Sequence, residues 1–218
     1  YFGGGSFPIG GSSQIVKTID PVIEASGGTI MINAEVDQVI IENNKAIGVK
    51  MSDGKIISST HVISGAGLVT TYEKLLPIDM VQKHALKSQL KKVNPSVSHA
   101  CLYIGLEGSP EELGLPKTNL WLYPEGMDHD QCIKNYIADI EQEFPVVYIS
   151  FPAAKDPDWS NRYPGKITID IITLLPYEVF SGWENSKWKK RGESYEKLKE
   201  SISKRLLEKL YEQLPQVK

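Results

Sequence analysis

The sequence predicts an α+β fold, in which a helix and a short β-meander precede a sheet-rich region that ends in a long helix. An apolar face of helical period follows a glycine cluster near the start of the chain. Short apolar segments separated by polar turn residues indicate strands, and leucines spaced by three and four residues indicate the final helix. Apolar residues make up 41% of the 218 residues and charged residues 23%, which is enough apolar material for a packed core.

The first helix is predicted after the glycine-rich stretch at residues 3–11. Ser12 or Ser13 can cap it, because a serine hydroxyl accepts the unpaired backbone N–H groups of a first turn. Pro21 should bend this helix, and Gly27-Gly28 should end it in the left-handed conformation. Its apolar face consists of Ile15, Val16, Ile19, Val22 and Ile23.

A run of short strands is predicted next, at residues 29–32, 36–42, 45–51, 55–58 and 61–64. The first is brief and apolar, as in a strand that is buried on both faces. Asn43-Asn44 tolerates the positive φ of a tight hairpin, and Gly54 completes the following turn. The last strand leads into Gly65-Ala66-Gly67, where small residues let a ligand or another backbone come close.

Beyond residue 67 the sequence predicts a mixed β-sheet flanked by helices. The predicted helices lie at 70–76 and 79–90, helical turns at 109–113 and 130–140, and strands at 97–106, 118–123, 146–151 and 167–175. The final helix has one apolar stripe, with Lys and Glu on its other faces. That stripe consists of Tyr195, Leu198, Ile202, Leu206, Leu210 and Leu214.

Composition excludes several classes of protein. The formal charge of −3 gives no general attraction to nucleic acid. Cys101 and Cys132 are too few for a disulfide framework or a four-thiolate zinc site. No apolar run approaches the ~18 residues that span a bilayer, and no secretory signal opens the chain. Because the chain starts at Tyr1 within a glycine cluster, we expect it to be a piece of a longer protein.

The glycine cluster does not match a nucleotide-binding motif. Gly5 and Gly10 have the spacing of a phosphate-binding loop, but Gly11 stands where the lysine should be. Pro8 occupies the third glycine position of the dinucleotide pattern, and no strand precedes the cluster. We therefore interpret the cluster as a structural turn that lets backbone approach a neighbouring domain.

Metal binding and nucleophilic catalysis have little support. His99 and Cys101 can share one face of a strand, and Asp128-His129-Asp130 is a polar cluster that we place in a loop. No H-x-x-x-H or C-x-x-C pair exists to anchor a metal, and no G-x-S-x-G elbow exists. We predict no metal site and name no catalytic residue.

A basic segment near the final helix is open to two interpretations. It consists of Lys187, Trp188, Lys189, Lys190 and Arg191, with Trp183 nearby. A solvated loop is the favoured interpretation. Contact with an anionic membrane surface gains weight only if the substrate is a lipid.

The residue patterns alone fit two interpretations about equally well. The chain is either a segment of a cofactor-binding domain without the rest of that domain, or a self-contained α+β module. Several stretches, however, resemble the retinol saturase branch of the phytoene-desaturase and carotenoid-isomerase family of flavoproteins. Stretches shared with the whole family lie at residues 8–12, 34–39, 48–49 and 62–67. Those more particular to the branch lie at residues 71–77, 151–157 and 190–196.

The resemblance implies a division into two domains. Residues 1–66 are the middle segment of an FAD-binding domain, and residues 67–218 are a substrate-binding domain with a long C-terminal helix. The implied cofactor-binding residues are Val36, which faces the adenine, Ser64, Gly65 and Ala66 at a strand end, and Gly10 and Gly11, which open the helix between domains. Gly65 departs from the family, which often has Asn at that position.

The resemblance also implies saturation or isomerisation of C=C bonds in a retinoid- or carotenoid-like polyene, with NAD(P)H as a candidate electron donor. The N-terminal pyrophosphate fingerprint and the C-terminal flavin segment are absent, so they are expected partners of this chain. We expect the isolated chain to bind FAD weakly or not at all, and to be inactive. The implied location is cytoplasmic or at a membrane periphery.

A long apolar substrate needs a long apolar cavity, and four strands are candidate walls. They contain Leu102-Tyr103-Ile104, Trp121-Leu122-Tyr123, Tyr148-Ile149 and residues 167–175. Two alternatives to the polyene enzyme stay open. One is an amine-oxidase-like flavoprotein, and the other is a lipid-binding module without redox activity.

Overall fold

The computed structural model describes residues 5–83, 88, 90–93, 96–126 and 128–218. These residues form two compact units. The sheet unit comprises the described residues up to Ile19 together with Val97–Lys218, and the meander unit comprises those within Asp20–Ser96. Helices and antiparallel strands are both present, which confirms the α+β class. The division into a cofactor domain (1–66) and a substrate domain (67–218) stays a prediction.

The first helix, α1, spans Ser13–Ala25 and contains Pro21, as predicted. The paired glycines end it as expected, because Gly27 adopts a φ of +80°. The Gly28 N–H donates to the Ile23 carbonyl (2.9 Å) and the Gly27 N–H to the Glu24 carbonyl (2.9 Å). These two bonds satisfy carbonyls that a helix end otherwise leaves unpaired.

A three-stranded antiparallel meander follows, as predicted. Its strands are β1 (Val36–Glu42), β2 (Lys45–Met51) and β3 (Ile56–Ser58). Asn43 and Asn44 both have positive φ, 48° and 65°, which is the backbone of a type I′ hairpin turn. The hairpin therefore forms from local turn chemistry.

The strands predicted at 29–32 and 61–64 are wrong for this chain. Neither segment has strand pairing, and their apolar side chains are exposed except for the half-buried Val62. Ile32 is 83% exposed and Ile63 97% exposed. A short apolar strand is stable only between neighbours that satisfy its backbone and cover its faces. No described strand lies beside either segment.

The segment after residue 66 differs from the predicted helix at 70–76. Helix α2 (Leu68–Thr70) runs directly into a π-helical turn at Thr71–Leu75, in which the Leu76 N–H donates to the Thr71 carbonyl (3.0 Å). Helix α3 spans Ile78–Lys83. Part of the predicted helix at 79–90 falls on residues 84–87 and 89, which lie outside the described residues.

The sheet unit is built on a four-stranded sheet in the order β4-β7-β6-β5. Its strands are β4 (His99–Glu107), β5 (Leu120–Leu122), β6 (Val147–Ser150) and β7 (Lys166–Leu174). Every pairing is antiparallel, so the prediction of a mixed sheet is wrong in this respect. The reason is that β5, β6 and β7 are neighbours in sequence order and pair directly, without a crossover between parallel strands.

The helices of the sheet unit are α4 (His129–Ala138), α5 (Pro152–Lys155), α6 (Trp159–Arg162) and α7 (Glu193–Gln213), with 3₁₀ turns at Tyr177–Trp183 and Pro215–Val217. The final helix is confirmed. The segment at 109–113 forms a turn, as predicted, in which the Leu113 N–H donates to the Ser109 carbonyl (3.2 Å). The placement of Asp128-His129-Asp130 in a loop is wrong, because Asp128 accepts the Gln131 N–H (3.0 Å) and caps α4.

One face of the four-stranded sheet carries the core. Alternate residues of β7 point into it, and Ile167, Ile169 and Ile171 are at most 1% exposed. Leu206 and Leu210 of α7 belong to the same buried cluster and are also 1% exposed. Burying one such side chain is worth ~1.5–3 kcal/mol. Because the side chains of β7 alternate between the two faces, those on the opposite face are not part of this core.

Candidate functional site

The candidate site lies on the open face of the four-stranded sheet, opposite the core. Successive side chains of a strand alternate between faces, and residues paired across strands share a face. Tyr103 and Trp121 on this face are 74% and 59% exposed. The open face consists of His99, Cys101, Tyr103, Trp121, Tyr148, Ser150, Thr168, Asp170, Ile172 and Leu174.

A polar centre lies on this face around the Lys155 ammonium group. Helix α5 begins one residue after Phe151, which follows β6, and its last residue is Lys155. The Lys155 Nζ donates to Ser150 Oγ (2.7 Å) and to Asn119 Oδ1 (2.7 Å). Ser150 is buried, so the ammonium group is held against the sheet rather than free in solvent.

Asp170 supplies the opposing charge of the polar centre. It pairs with Ser150 of β6 on one side and with Tyr103 of β4 on the other, so all three share the open face. Burial lowers the pKa of Lys155, and the nearby Asp170 carboxylate opposes part of that shift. Burial raises the pKa of Asp170, and Lys155 again opposes it. The two charges therefore stabilise each other in a partly desolvated place.

Two adjoining depressions flank the polar centre. One, of about 540 Å³, is lined by Lys155, Lys117 and the residues before α1, including Phe7. The Phe7 ring lies 5.1 Å from Lys155 Nζ, within the range of a cation–π contact. The other, of about 420 Å³, is mainly apolar and is lined by His99, Asn119, Trp121, Val146, Tyr148, Ile172, Thr173 and Leu174. Both volumes are in the range of small-molecule sites.

The predicted wall strands divide between the two faces of the sheet. Tyr103, Trp121 and Tyr148 lie on the open face, and the Trp121 and Tyr148 rings are 4.7 Å apart. Their strand neighbours Leu102 and Ile149 belong to the core or pack against it. Sequence periodicity indicates that neighbouring residues of a strand lie on opposite faces of the sheet, but it does not indicate which residues face the core.

A second polar cluster holds the glycine turn in place. The Asp156 carboxylate is 1% exposed and accepts the backbone N–H of Gly10 (3.0 Å) and of Asp158 (3.0 Å). Arg162 pairs with it and also with Asp158 (3.1 Å). Burial raises the pKa of Asp156, but these donors outweigh burial and hold the pKa below its usual value.

The predicted cofactor-binding residues fall in both units. Gly10 and Gly11 lie in the sheet unit with φ of +87° and +78°, and the Gly11 N–H donates to the Pro8 carbonyl (2.9 Å). The other four lie in the meander unit. There Val36 begins β1, and Ser64, Gly65 and Ala66 are exposed.

Ser64 is linked to the turn that packs against β1. Its hydroxyl is 2.7 Å from that of Thr71, and β1 contacts the π-helical turn that begins at Thr71. The structure therefore brings the Ser64 segment and the strand that contains Val36 to the same part of the meander unit. Their role toward a cofactor stays a prediction.

The candidate metal ligands do not form a metal-binding cluster in the part of the chain that the structure describes. His99 and Cys101 do share the open face of β4. Within the described residues, however, no group of three or more His, Cys, Asp or Glu side chains is placed to hold an ion. The absence of a metal site stays a prediction.

Sequence reasoning missed Lys155, Asn119, Asp170 and Asp156. The signal was present, because Lys155 and Asp156 lie within the branch-like stretch at 151–157. Their partners are distant in sequence, since Asn119 is 36 residues from Lys155 and Gly10 is 146 residues from Asp156. Such pairs become visible only in the folded chain.

The sheet thus packs helix α7 on one face. On its other face, aromatic and apolar residues surround a charged pair. Comparison with known proteins gives a closer assignment. Over the whole chain the protein is 34% identical to all-trans-retinol 13,14-reductases of Danio rerio and of Homo sapiens. A chloroplastic prolycopene isomerase of Daucus carota is 24% identical over 98% of the chain. No family model matches.

The resemblance to the retinol saturase branch is therefore confirmed: the chain is a homologue of the all-trans-retinol 13,14-reductases, and prolycopene isomerases are more distant relatives. The chain spans 37% of the length of the two reductases. The similarity thus concerns one part of those proteins.

Proposed function

We propose that the chain is a segment of an FAD-dependent oxidoreductase that saturates or isomerises C=C bonds of a retinoid- or carotenoid-like polyene. The observation that carries this proposal is the similarity along the whole chain to reductases whose name specifies all-trans-retinol. The open face of the sheet supports it, because Trp121, Tyr148 and Ile172 offer an apolar surface for a conjugated chain.

The meander unit would contribute to the FAD site through Val36, Ser64, Gly65 and Ala66. The last three are exposed and have small side chains, so another group can approach their backbone closely. When bound, FAD would supply the hydride chemistry, while the protein binds and orients the substrate and excludes water.

Gly10 and Gly11 would act differently, as a turn that positions α1. Their N–H groups already donate to Asp156 and to Pro8, so these amides are not free to bind a pyrophosphate. The Asp156 carboxylate beside Gly10 would also repel an anion. Their proposed contribution is therefore the positive φ that lets backbone pass close to a neighbour.

Parts of the parent protein outside this chain are the proposed partners of the unpaired segments at 29–32 and 61–64. Both have apolar residues suited to a buried sheet, yet Ile32 and Ile63 are almost fully exposed. Hydrogen exchange compares the isolated chain with the full-length protein. We expect slow exchange at 29–32 and 61–64 only in the full-length protein; fast exchange in both would contradict the pairing.

The proposed function is tested on the full-length protein. We expect a flavin absorbance spectrum that reductant bleaches, and a changed polyene absorbance when retinol or a carotenoid is turned over. Saturation shortens the conjugated system and shifts its absorbance to shorter wavelength, whereas isomerisation keeps all double bonds and changes only the cis and trans bands. Bleaching by NADPH or NADH would identify the donor. The isolated 218-residue chain should bind FAD weakly or not at all and should be inactive. A full-length protein without flavin would refute the proposal.

The same experiment separates the two alternatives. A colourless protein that still binds retinoid would be a lipid-binding module without redox activity. A yellow protein that oxidises amines and leaves polyenes unchanged would be an amine-oxidase-like flavoprotein.

We also propose peripheral membrane contact through the basic segment before α7. Among the described residues, no helix is both long and apolar enough to cross a bilayer. Trp188 is 76% exposed, with the Lys189 ammonium 4.6 Å from its ring centre, and Lys187 and Lys190 are exposed beside them. An exposed indole among cations suits the headgroup region of an anionic membrane, where an apolar polyene would be available.

A further inference from the structure

The Lys155 ammonium group has hydrogen-bonding capacity that its protein partners do not use. An ammonium group carries three N–H donors. Two of them reach Ser150 Oγ and Asn119 Oδ1. For the third, the described residues offer no oxygen or nitrogen acceptor, only the cation–π contact with the Phe7 ring. Lys155 lines the larger of the two depressions. Because Lys155 is partly buried, an unused donor there favours a ligand that can accept a hydrogen bond.

Asp170 lies close to this donor but does not bond to it directly. Residues paired across antiparallel strands have Cβ atoms ~4.5–5.5 Å apart, which places Asp170 beside Ser150. The two charges interact electrostatically. Among the described residues no salt bridge joins Lys155 to Asp170. Asp170 lies beside Ser150 at the polar centre, behind the residues that line the two depressions. A donor and an acceptor therefore stand near each other with no direct bond between them.

A hydroxyl group matches this arrangement better than other polar ends of an apolar molecule. A hydroxyl both accepts and donates a hydrogen bond, so it can engage Lys155 and Asp170 together. A carboxylate can accept from Lys155 but is repelled by Asp170. A hydrocarbon end would desolvate both charges and return no hydrogen bond to either.

Apolar surface extends away from the polar centre along the open face. Ile172 and Tyr148 are paired residues, and Trp121 pairs with Tyr148 in turn. The two depressions share Asn119 and Trp121 as walls, so they adjoin at the polar centre. A ligand with a long apolar chain and one polar end could occupy both.

We propose that Lys155 and Asp170 form the subsite that holds the terminal hydroxyl of an amphiphilic polyene, with the apolar chain lying along Ile172, Tyr148 and Trp121. This inference rests on the proposed function, and it makes Lys155 and Asp170 determinants of specificity among polyenes. Asn119 and Ser150 are positioning residues, because they hold the ammonium group on the sheet.

The test measures the affinity of the full-length protein for three ligands that differ only at one end: all-trans-retinol, retinoic acid and the matching hydrocarbon without a hydroxyl. Ligand fluorescence or quenching of tryptophan gives each Kd. Lys155→Met should weaken retinol binding about tenfold, the loss of one hydrogen bond to a charged group, while leaving the hydrocarbon unchanged or tighter. Asp170→Asn should strengthen retinoic acid binding, because the repulsion is removed.

Lys117→Met is the matched control, since Lys117 lines the same depression but is exposed and makes no described contact with Lys155. It should leave the ligand preferences unchanged. Lys155→Arg keeps a cation with N–H donors and should retain part of the preference for retinol. Circular dichroism checks that each variant is folded. If Lys155→Met does not fold, the ligand preferences of Lys155→Arg still test the inference.

The outcomes separate the subsite from the proposed function. If the wild-type protein binds polyenes but Lys155→Met and Asp170→Asn change the three affinities equally, the subsite is wrong and the proposed function stands. If the wild-type protein binds none of the three ligands, the subsite is overturned, and the flavin spectrum together with carotenoid turnover decides the proposed function separately. A change of end-group preference in the predicted directions supports both.

Discussion

Replacing Asp156 with asparagine should destabilise the sheet unit, because the Asp156 carboxylate joins the glycine turn to the segment after β6. The substitution keeps the side-chain volume and removes the charge. Gly10 can still donate to the amide oxygen, but Arg162 loses its buried partner. Breaking a buried ion pair costs ~3–5 kcal/mol. Arg162 is 29% exposed and keeps Asp158 at 3.1 Å, so we expect the lower end of that range, about 3 kcal/mol.

Urea and thermal unfolding of the wild-type and Asp156→Asn chains measure this difference. At this chain length 1 kcal/mol lowers Tm by ~2–4 °C, so the expected decrease is ~6–12 °C. Asp158→Asn is the matched control, since it removes a neighbouring carboxylate that is 39% exposed. Its cost should stay within ~1 kcal/mol.

The pH dependence gives an independent readout. The folded state lowers the pKa of Asp156, so the stabilisation is present above the ordinary carboxyl pKa of ~3.9 and is lost as pH falls through the folded pKa. The stability difference between wild type and Asp156→Asn should therefore shrink below about pH 4. Equal unfolding free energies for Asp156→Asn and Asp158→Asn, or a difference independent of pH, would refute this reasoning.

The remaining predictions concern the core, the meander and the basic segment. Tyr136→Phe should stabilise the chain by about 1 kcal/mol in urea unfolding, because the buried Tyr136 hydroxyl has no hydrogen-bond partner among the described residues. Burial also raises the pKa of Tyr136 to about 12. A net loss of stability would contradict this prediction. Gly48→Ala should destabilise the meander, because a Cβ at this position would lie 2.3 Å from the Ile57 carbonyl oxygen. The control is Gly105→Ala in β4, where a Cβ meets nothing within 4 Å. Similar unfolding free energies for the two variants would refute the steric argument. Replacing Lys187, Lys189 and Lys190 with glutamine should weaken the affinity for phosphatidylserine vesicles, measured by sedimentation, about a hundredfold, since three cations at ~1 kcal/mol each contribute ~3 kcal/mol. The same change at Lys197, Lys199 and Lys204 of α7 should have a smaller effect, and equal effects would exclude a specific surface.

Local sequence was sufficient for elements that depend on neighbouring residues. The hairpin between β1 and β2 follows from Asn43 and Asn44, which tolerate positive φ. The end of α1 follows from Gly27 and Gly28, and α7 follows from its apolar stripe. In each case the residues that determine the conformation lie within a few positions of one another.

Prediction failed where an element depends on a distant partner. Residues 29–32 and 61–64 have the composition of buried strands, yet they pair with no described strand and are mostly exposed. Strand composition indicates a preference, but a strand forms only when another strand satisfies its backbone. The same limit explains why the prediction of a mixed sheet was wrong, since the direction of each strand depends on which strands lie beside it.

The amino-acid order alone established the class of fold, the meander, the final helix and a family resemblance, because each depends on short-range periodicity or on a contiguous motif. Folding in three dimensions established the site. It selected Tyr103, Trp121 and Tyr148 for the open face, joined Lys155 to Asn119, and joined Asp156 to Gly10. Two polar groups 36 or 146 residues apart leave no periodic trace in the chain, and packing of the intervening elements is what brings them within hydrogen-bonding distance.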